Sequence, residues 1–130
     1  MAEARHISVS IRRPWQTVYD YASNPAHLPA WASGLGAAIR RIGDQWEADS
    51  PMGRVRIRFA PANGFGVLDH DVVLESGEAV HNPMRVLPNG SDAEVVFTLF
   101  RRPDMSQAQF AADSQWIAKD LQSLKAILEG

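Results

Sequence analysis

The stretch DMSQAQFAADSQWIAKDLQSLKAILE, residues 104–129, decides the fold of this chain. Its apolar residues recur at steps of seven, four, three and four, which places them on one stripe of a helix at about 100° per residue. The stripe consists of Phe110, Ile117, Leu121, Leu124 and Leu128. Ser106 and Gln109 have the spacing of a capping box, and Gly130 follows the last periodic residue. The pattern therefore predicts one long amphipathic C-terminal helix, which needs a large apolar surface to pack against.

Two polar residues interrupt the N-terminal half of this stripe. Asp113 and Ser114 lie on or beside it, between Phe110 and Ile117. The C-terminal half is purely apolar, so we expect it to anchor the helix. We expect Phe110, Asp113 and Ser114 to face whatever interior space remains.

Composition indicates a single globular domain over residues 1–130, with 45% hydrophobic and 22% charged residues. A net charge of −2 without a basic tail gives no support for nucleic-acid binding. The absence of cysteine excludes disulfides and thiolate chemistry. The sequence has no apolar run of roughly 20 residues that could insert in a membrane, and the polar residues 1–6 lack a signal-peptide core. We expect a cytoplasmic protein; the oligomeric state stays open.

The N-terminal third combines one strand with two short helices. Ile7, Val9 and Ile11 alternate with polar residues, which is typical of a half-buried strand. Pro14 opens a first short helix, and a second begins near Pro29. This second helix should direct Leu28, Trp31 and Leu35 to the interior and end at Gly34 and Gly36.

The middle of the chain changes to period two and predicts six further strands. They are Ala37–Ile42, Gln45–Ser50, Arg54–Ala60, Gly66–Glu75, Ala79–Leu87 and Ala93–Arg101. The tight turns between them favour antiparallel neighbours. Pro83 suits an edge or a bulge better than a central position. The whole pattern predicts an α+β fold, with a curved seven-stranded antiparallel sheet around the long helix and two short helices between strands 1 and 2.

The order of elements and several motifs resemble the START/Bet v1-like superfamily, in particular its polyketide cyclase/dehydrase-like (SRPBCC) proteins. The resemblance covers nearly the whole chain. It is carried by Val9-Ser10-Ile11 before Pro14, Val18-Tyr19, Leu28-Pro29 with Trp31, Ser50-Pro51-Met52-Gly53, Gly66 to Val72, Met84-Arg85-Val86 and the final helix. It implies a helix-grip fold with a cavity between sheet and helix. Members bind lipids, hormones or polyketides, and some catalyse cyclisation or dehydration.

His70 is the strongest candidate for chemistry, because alternation places it on the same face as Leu68 and Val72. If that face is inward, an imidazole with a pKa suited to acid/base work points into an apolar interior, and Asp113 is a candidate second catalytic group. The alternative is a histidine that is merely hydrogen-bonded within the core, or to Asp113 or Ser114. Asp69 and Asp71 should point to the opposite face, solvated or paired with arginines.

A set of large inward side chains could line a hydrophobic pocket for a flexible ligand. These are Trp31, Trp46, Phe59, Met84, Phe97 and Phe110, with polar contacts from His70, Asn82, Asp113 and Ser114. The alternative for each is a solidly packed core. A Ser114–His70–Asp113 triad is disfavoured, since Ser114 would sit in mid-helix rather than on a strained turn.

The sequence predicts neither a metal site nor a bound cofactor. The four histidines are scattered without ligand spacing, and the Gly64-Phe65-Gly66 segment leads into a strand, not a helix. Three hypotheses follow: a binder of a hydrophobic or aromatic small molecule, a cyclase/dehydrase-type enzyme that uses His70, and a protein-interaction module. The last would use an outer sheet face that carries Arg54, Arg56 and Arg58.

Overall fold

The computed structural model of the protein describes residues 1–34 and 39–130. Within them a first strand, two short α-helices, seven further strands and a long helix follow one another, which confirms the predicted order of strand, helices, strands and final helix. The elements are β1 Ala4–Ile11, α1 Trp15–Ala22, a 3₁₀ turn Pro25–His27, α2 Leu28–Trp31, β2 Ile39–Ile42, β3 Gln45–Ser50, β4 Gly53–Phe59, β5 His70–Val73, β6 Ala79–Asn82, β7 Met84–Asn89, β8 Asp92–Phe100 and α3 Gln107–Glu129.

The long helix α3 begins and ends where the sequence predicts. The Ser106 side chain accepts a hydrogen bond from the Gln109 backbone N–H at 3.1 Å, so it satisfies one of the N–H groups that the first turn leaves without an intrahelical partner. At the other end the Gly130 N–H donates to the Ala126 carbonyl. The stripe residues Phe110, Leu121 and Leu124 are fully buried, so α3 packs against the sheets through the predicted face.

The strands form two antiparallel sheets, with orders β1-β8-β7 and β2-β3-β4-β5-β6. The prediction of one seven-stranded sheet is therefore wrong. The predicted strand Ala79–Leu87 is divided at Pro83 into β6, which pairs with β5, and β7, which pairs with β8. The predicted strand Gly66–Glu75 is also shortened, to His70–Val73.

Pro83 accounts for this division. Proline has no N–H to donate to a strand ladder, and the next N–H, that of Met84, donates to the Asp69 carboxylate at 3.0 Å. The two sheets stay linked across the break by backbone hydrogen bonds from Leu68 N–H to the Met84 carbonyl and from Val86 N–H to the Gly66 carbonyl.

Alternation along the strands gives both sheets an apolar inner face. On β4, Val55 and Ile57 are buried whereas Arg54, Arg56 and Arg58 are exposed, as the sequence predicts. Leu28 and Trp31 of α2 are buried as predicted. The predicted inward position of Leu35, the helix end at Gly36 and the start of the predicted strand at Ala37 fall outside the described residues.

None of the helices among the described residues is both long and apolar enough to cross a membrane.

Candidate functional site

A cavity of about 450 Å³ lies between the inner faces of the two sheets and one side of α3. Its wall is mainly apolar. The strands contribute Val55 and Ile57 from β4, Val72 from β5, Val80 from β6, and Phe97 and Leu99 from β8. Helix α2 closes one side with Leu28 and Trp31, and α3 contributes Ile117 and Leu121. The cavity thus occupies the space that the predicted fold places between sheet and helix.

The cavity opens to solvent between the β3–β4 turn and α3. Met52 in that turn and Trp116 on α3 both line the cavity, and they are 57% and 50% exposed. Pro51 and Gly34 border the same opening. The Trp116 indole packs beside Gly34. A Cβ atom added to Gly34 would lie 3.7 Å from the indole Nε1, at ordinary van der Waals distance. A flexible thioether and an exposed indole therefore flank the opening of the cavity.

His70 is the principal polar group on the sheet side of the cavity. Its Nδ1 lies 3.0 Å from the Leu68 carbonyl oxygen. Its ring lies 5.0 Å from the Phe59 ring and 6.0 Å from the Phe97 ring, centroid to centroid. Burial lowers the pKa of His70 below its ordinary value of 6.5, and the hydrogen bond to Leu68 and the carboxylates of Asp69 and Asp71 oppose that shift only in part. At neutral pH the imidazole is therefore uncharged.

Asn82 and Asp113 join His70 on the wall of the cavity. Asn82 lies directly opposite His70 in the β5–β6 register. Asp113 faces the cavity from α3 and is half-buried. The structure therefore brings together the two residues predicted to be catalytic, His70 and Asp113, in one space, from opposite sides.

Helix α3 presents a second stripe to the cavity, beside its anchoring stripe. It consists of Gln109, Asp113, Trp116 and Asp120. These positions recur at steps of four, three and four, so the spacing of polar and aromatic residues next to the apolar stripe could have identified them. The sequence predicts that the N-terminal half of α3 faces the cavity and that the C-terminal half anchors the helix. In the structure one face of α3 lines the cavity and another anchors the helix, so the sequence did not predict Gln109, Trp116 and Asp120 as cavity residues.

Asp120 ties the cavity-facing side of α3 to the end of α2. Its carboxylate accepts hydrogen bonds from the Ser33 hydroxyl at 2.6 Å and from the Ser33 backbone N–H at 3.2 Å. Burial raises the pKa of Asp120 above its ordinary value of 3.8, although both hydrogen bonds from Ser33 act in the opposite direction. A partly desolvated carboxyl group thus stands at the mouth of the cavity.

The residues predicted to contact a ligand occupy three kinds of position. Trp31, His70, Asn82, Phe97 and Asp113 line the cavity. Met84, Phe110 and Ser114 are buried in the core outside that lining, and Trp46 and Phe59 pack half-buried against the core. Their roles towards a ligand stay predictions. The Trp31 indole Nε1 is buried and has no hydrogen-bond partner among residues 1–34 and 39–130.

On the outer face of the five-stranded sheet, three arginines share one carboxylate. Glu47 is 7% exposed, and its carboxylate lies 2.8 Å from Arg40, 3.5 Å from Arg54 and 3.9 Å from Arg56. The Arg40 hydrogen bond is the main cause of the lowered pKa of Glu47. Glu47 offsets only one of these three positive charges, so the basic surface that the interaction-module hypothesis needs is reduced and not removed.

Two further acids on this face form the arginine pairs that the sequence predicts. Arg85 reaches Asp69 at 2.7 Å, and Arg58 reaches Asp71 at 3.5 Å. In the described part of the chain no group of three or more histidine or acidic side chains is arranged to hold a metal ion.

Comparison with solved structures places the fold among known ones. An uncharacterised protein from Bacillus thuringiensis superimposes with a TM-score of 0.77, at 13% identity over 98% of this chain and 100% of that one. The protein from Colwellia psychrerythraea solved as the Aha1 dimer has a TM-score of 0.73, at 14% identity over 98% of this chain and 96% of that one.

DynU16, a protein of the dynemicin biosynthetic locus, also has a TM-score of 0.73, at 14% identity over 99% of this chain and 48% of that one. No protein-family model and no curated protein matches the sequence. At this level of identity the similarity shows the fold alone.

Proposed function

We propose that the protein binds a hydrophobic or aromatic small molecule in the cavity between the sheets and α3. The observation that carries this proposal is the cavity of about 450 Å³, with an apolar wall and a few polar side chains that converge on it. Small-molecule sites in proteins have this volume and this composition, in which apolar surface supplies affinity and sparse polar groups fix orientation. A lipid-like or polyketide-like ligand fits both features.

The same proposal places the chain in the START/Bet v1-like superfamily, among its polyketide cyclase/dehydrase-like (SRPBCC) proteins. The motifs quoted above support this placement, and so does the position of the cavity beside the long C-terminal helix. DynU16, from a biosynthetic locus, lends support to a role in small-molecule chemistry.

Ligand binding can be tested with two tryptophan substitutions on one strand. Val72 faces the cavity, whereas the adjacent Val73 pairs with Arg56 on the outer face. A Val72→Trp side chain would fill the cavity, and Val73→Trp would not, although both place the same residue in β5. The assay is native mass spectrometry and thermal unfolding of each protein with a panel of fused-ring aromatic and long-chain apolar compounds.

We expect at least one compound to bind the wild-type protein and the Val73→Trp variant and to fail with Val72→Trp. A compound present at a hundredfold excess over its Kd raises the free energy of unfolding by about 2.7 kcal/mol, which the unfolding curve resolves easily. Binding that survives Val72→Trp would place the ligand elsewhere, and no binding across the panel would contradict the proposal.

A second candidate function is general acid/base catalysis of the cyclase/dehydrase type, with His70 as the base. The specific observation in its favour is an uncharged imidazole on the cavity wall with a carboxylate, Asp113, facing the same space. In a dehydration the neutral imidazole would take the proton α to a ketone, and the resulting imidazolium would give that proton to the β-hydroxyl. The hydroxyl then leaves as water, a C=C bond forms between the two carbons, and the imidazole returns to its neutral state.

The catalytic function is tested by incubating the protein with β-hydroxyketones that carry a fused aromatic ring. Formation of the conjugated enone product is followed by its absorbance. His70→Ala should abolish turnover and largely preserve binding, whereas His81→Ala, on the outer face of β6, should leave both unchanged. Turnover that persists in the His70→Ala variant would remove His70 from the mechanism.

A further inference from the structure

His70 and Asn82 can contact the same atom of a ligand. They face each other across the β5–β6 ladder, and both line the cavity. Directly opposed residues of an antiparallel pair have Cβ atoms roughly 4.5–5.5 Å apart, on the same side of the sheet. The next opposed pair, Val72 and Val80, also lines the cavity, so the polar pair adjoins an apolar floor.

The hydrogen bond to Leu68 determines what His70 offers a ligand. A carbonyl oxygen only accepts, so Nδ1 must carry the hydrogen of the 3.0 Å contact with Leu68. Because burial keeps the ring uncharged, Nε2 then has no hydrogen and acts as an acceptor. Phe59 and Phe97 flank the ring and restrict its rotation. Among residues 1–34 and 39–130, His70 makes its side-chain hydrogen bond through Nδ1 and none through Nε2.

Asn82 supplies the complementary function. Its side-chain amide carries two N–H donors and one acceptor oxygen, and this amide makes no hydrogen bond to any described residue. A ligand hydroxyl can satisfy both residues at once: its O–H donates to Nε2 of His70, and its oxygen accepts from the Asn82 amide. A carboxylate, a ketone or an ether lacks the hydrogen that Nε2 requires.

We propose that His70 and Asn82 form a hydroxyl-recognition subsite, and that the ligand is an apolar alcohol or phenol whose hydroxyl group lies against the β5–β6 wall. This inference rests on the proposed ligand-binding function and names the ligand class. It assigns the ring system of the ligand to the apolar space lined by Val72, Val80 and Ile57.

Three naphthalene derivatives test the subsite, because they share one ring system. These are 2-naphthol, 2-methoxynaphthalene and naphthalene, with affinity measured by isothermal titration calorimetry. A net neutral hydrogen bond contributes about 1 kcal/mol, and two together correspond to roughly tenfold to thirtyfold in Kd. We expect 2-naphthol to bind at least tenfold more tightly than naphthalene, which makes neither hydrogen bond. It should bind roughly fivefold more tightly than 2-methoxynaphthalene, whose ether oxygen can still accept from Asn82.

Two variants and a control locate the effect. His70→Phe should reduce 2-naphthol affinity to that of 2-methoxynaphthalene without weakening the methoxy compound. The nearly isosteric Asn82→Leu should weaken both oxygen-bearing compounds and leave naphthalene unchanged. His81→Phe, next to Asn82 on β6 but on the outer face, should change the affinity of neither oxygen-bearing compound. Circular dichroism checks that each variant is folded. If His70→Phe does not fold, Asn82→Leu alone still tests the subsite.

The outcomes separate the two proposals. Equal affinity for the three compounds, or a 2-naphthol preference over naphthalene that neither His70→Phe nor Asn82→Leu reduces, would overturn the hydroxyl subsite and leave ligand binding intact. If none of the three compounds binds and no compound of the apolar panel binds, the proposal of ligand binding is wrong, and so is the proposal of the subsite.

Discussion

Asp69 links the two sheets at the point where Pro83 interrupts the strand, and its replacement tests that account of the fold. Its carboxylate accepts hydrogen bonds from Arg85 at 2.9 and 2.7 Å and from the Met84 backbone N–H at 3.0 Å. The side chain is only 20% exposed, against 48% for Arg85. The hydrogen bonds from Arg85 are the main cause of the lowered pKa of Asp69.

The expected cost of Asp69→Ala follows from these contacts. The ion pair with a half-exposed arginine contributes about 1 kcal/mol once solvent screening is included. The Met84 N–H would be left without an acceptor in a buried residue, which costs roughly 1–2 kcal/mol more. The free energy of unfolding should therefore fall by about 2–3 kcal/mol, equivalent to roughly 10 °C in Tm for a chain of this size.

Two comparisons sharpen the assay, which is urea and thermal unfolding followed by circular dichroism. Asp69→Asn keeps an acceptor for Met84 and should cost less than Asp69→Ala. Asp71→Ala, two residues further along the chain, removes a more exposed carboxylate and should cost less than about 1 kcal/mol.

Since the folded pKa of Asp69 is lowered, its contribution is present above the ordinary value of 3.8 and is lost as the pH falls below it. The deficit of Asp69→Ala should shrink there. A loss no larger than that of Asp71→Ala, or one that does not depend on pH, would refute the reasoning.

Three further predictions concern α3 and the cavity. Ser106→Ala should lower the free energy of unfolding by about 1 kcal/mol, because it removes the N-cap, whereas Ser123→Ala inside the same helix should be neutral or stabilising in the same denaturant titration. Asp120→Asn should be at least as stable as the wild type at pH 7. The folded pKa of Asp120 is raised, so the stability that this carboxyl group contributes is present below pH 3.8 and is lost as the pH rises through the folded pKa. The amide oxygen of the variant still accepts the hydrogen bonds from Ser33. Destabilisation of this variant at pH 7 would contradict the assigned burial. In an NMR titration His70 should protonate with a midpoint below 6.5, and the stability tied to it should be lost as the pH falls below that value. A midpoint at or above 6.5 would contradict the dominant effect of burial on the imidazole.

Much of the fold was predictable because periodicity and caps act locally. The α3 stripe, the Ser106 cap and the inward and outward faces of β4 all follow from residue spacing alone. Pro83 was recognised as unsuited to a central position, but its consequence depended on the long-range hydrogen bond between Asp69 and Met84. A sequence pattern does not show which strand each half of an interrupted strand will join, so the division into two sheets was missed.

The candidate site, like the fold, could be predicted from the sequence only in part. Alternation correctly placed His70 and Asn82 on an inner face, and the structure puts both on the cavity wall. The same rule placed Met84 inward, yet Met84 lies in the core outside the lining, because alternation gives the face of a strand and not the depth of packing above it. Trp116 and Asp120 were missed because a polar or aromatic residue beside an apolar stripe is indistinguishable in sequence from one in solvent.

The central claim is that the cavity between the sheets and α3 binds an apolar ligand, and methyl NMR with 2-naphthol tests it most directly. The methyl groups of Ile57, Val72 and Val80 line the cavity, whereas those of Val95 and Leu124 are buried outside it. The account predicts saturable shifts of the first three signals, strongest at Val72 and Val80, with the last two nearly unchanged. Shifts confined to the outer-face Val73, or none with 2-naphthol and none with any compound of the apolar panel, would contradict it.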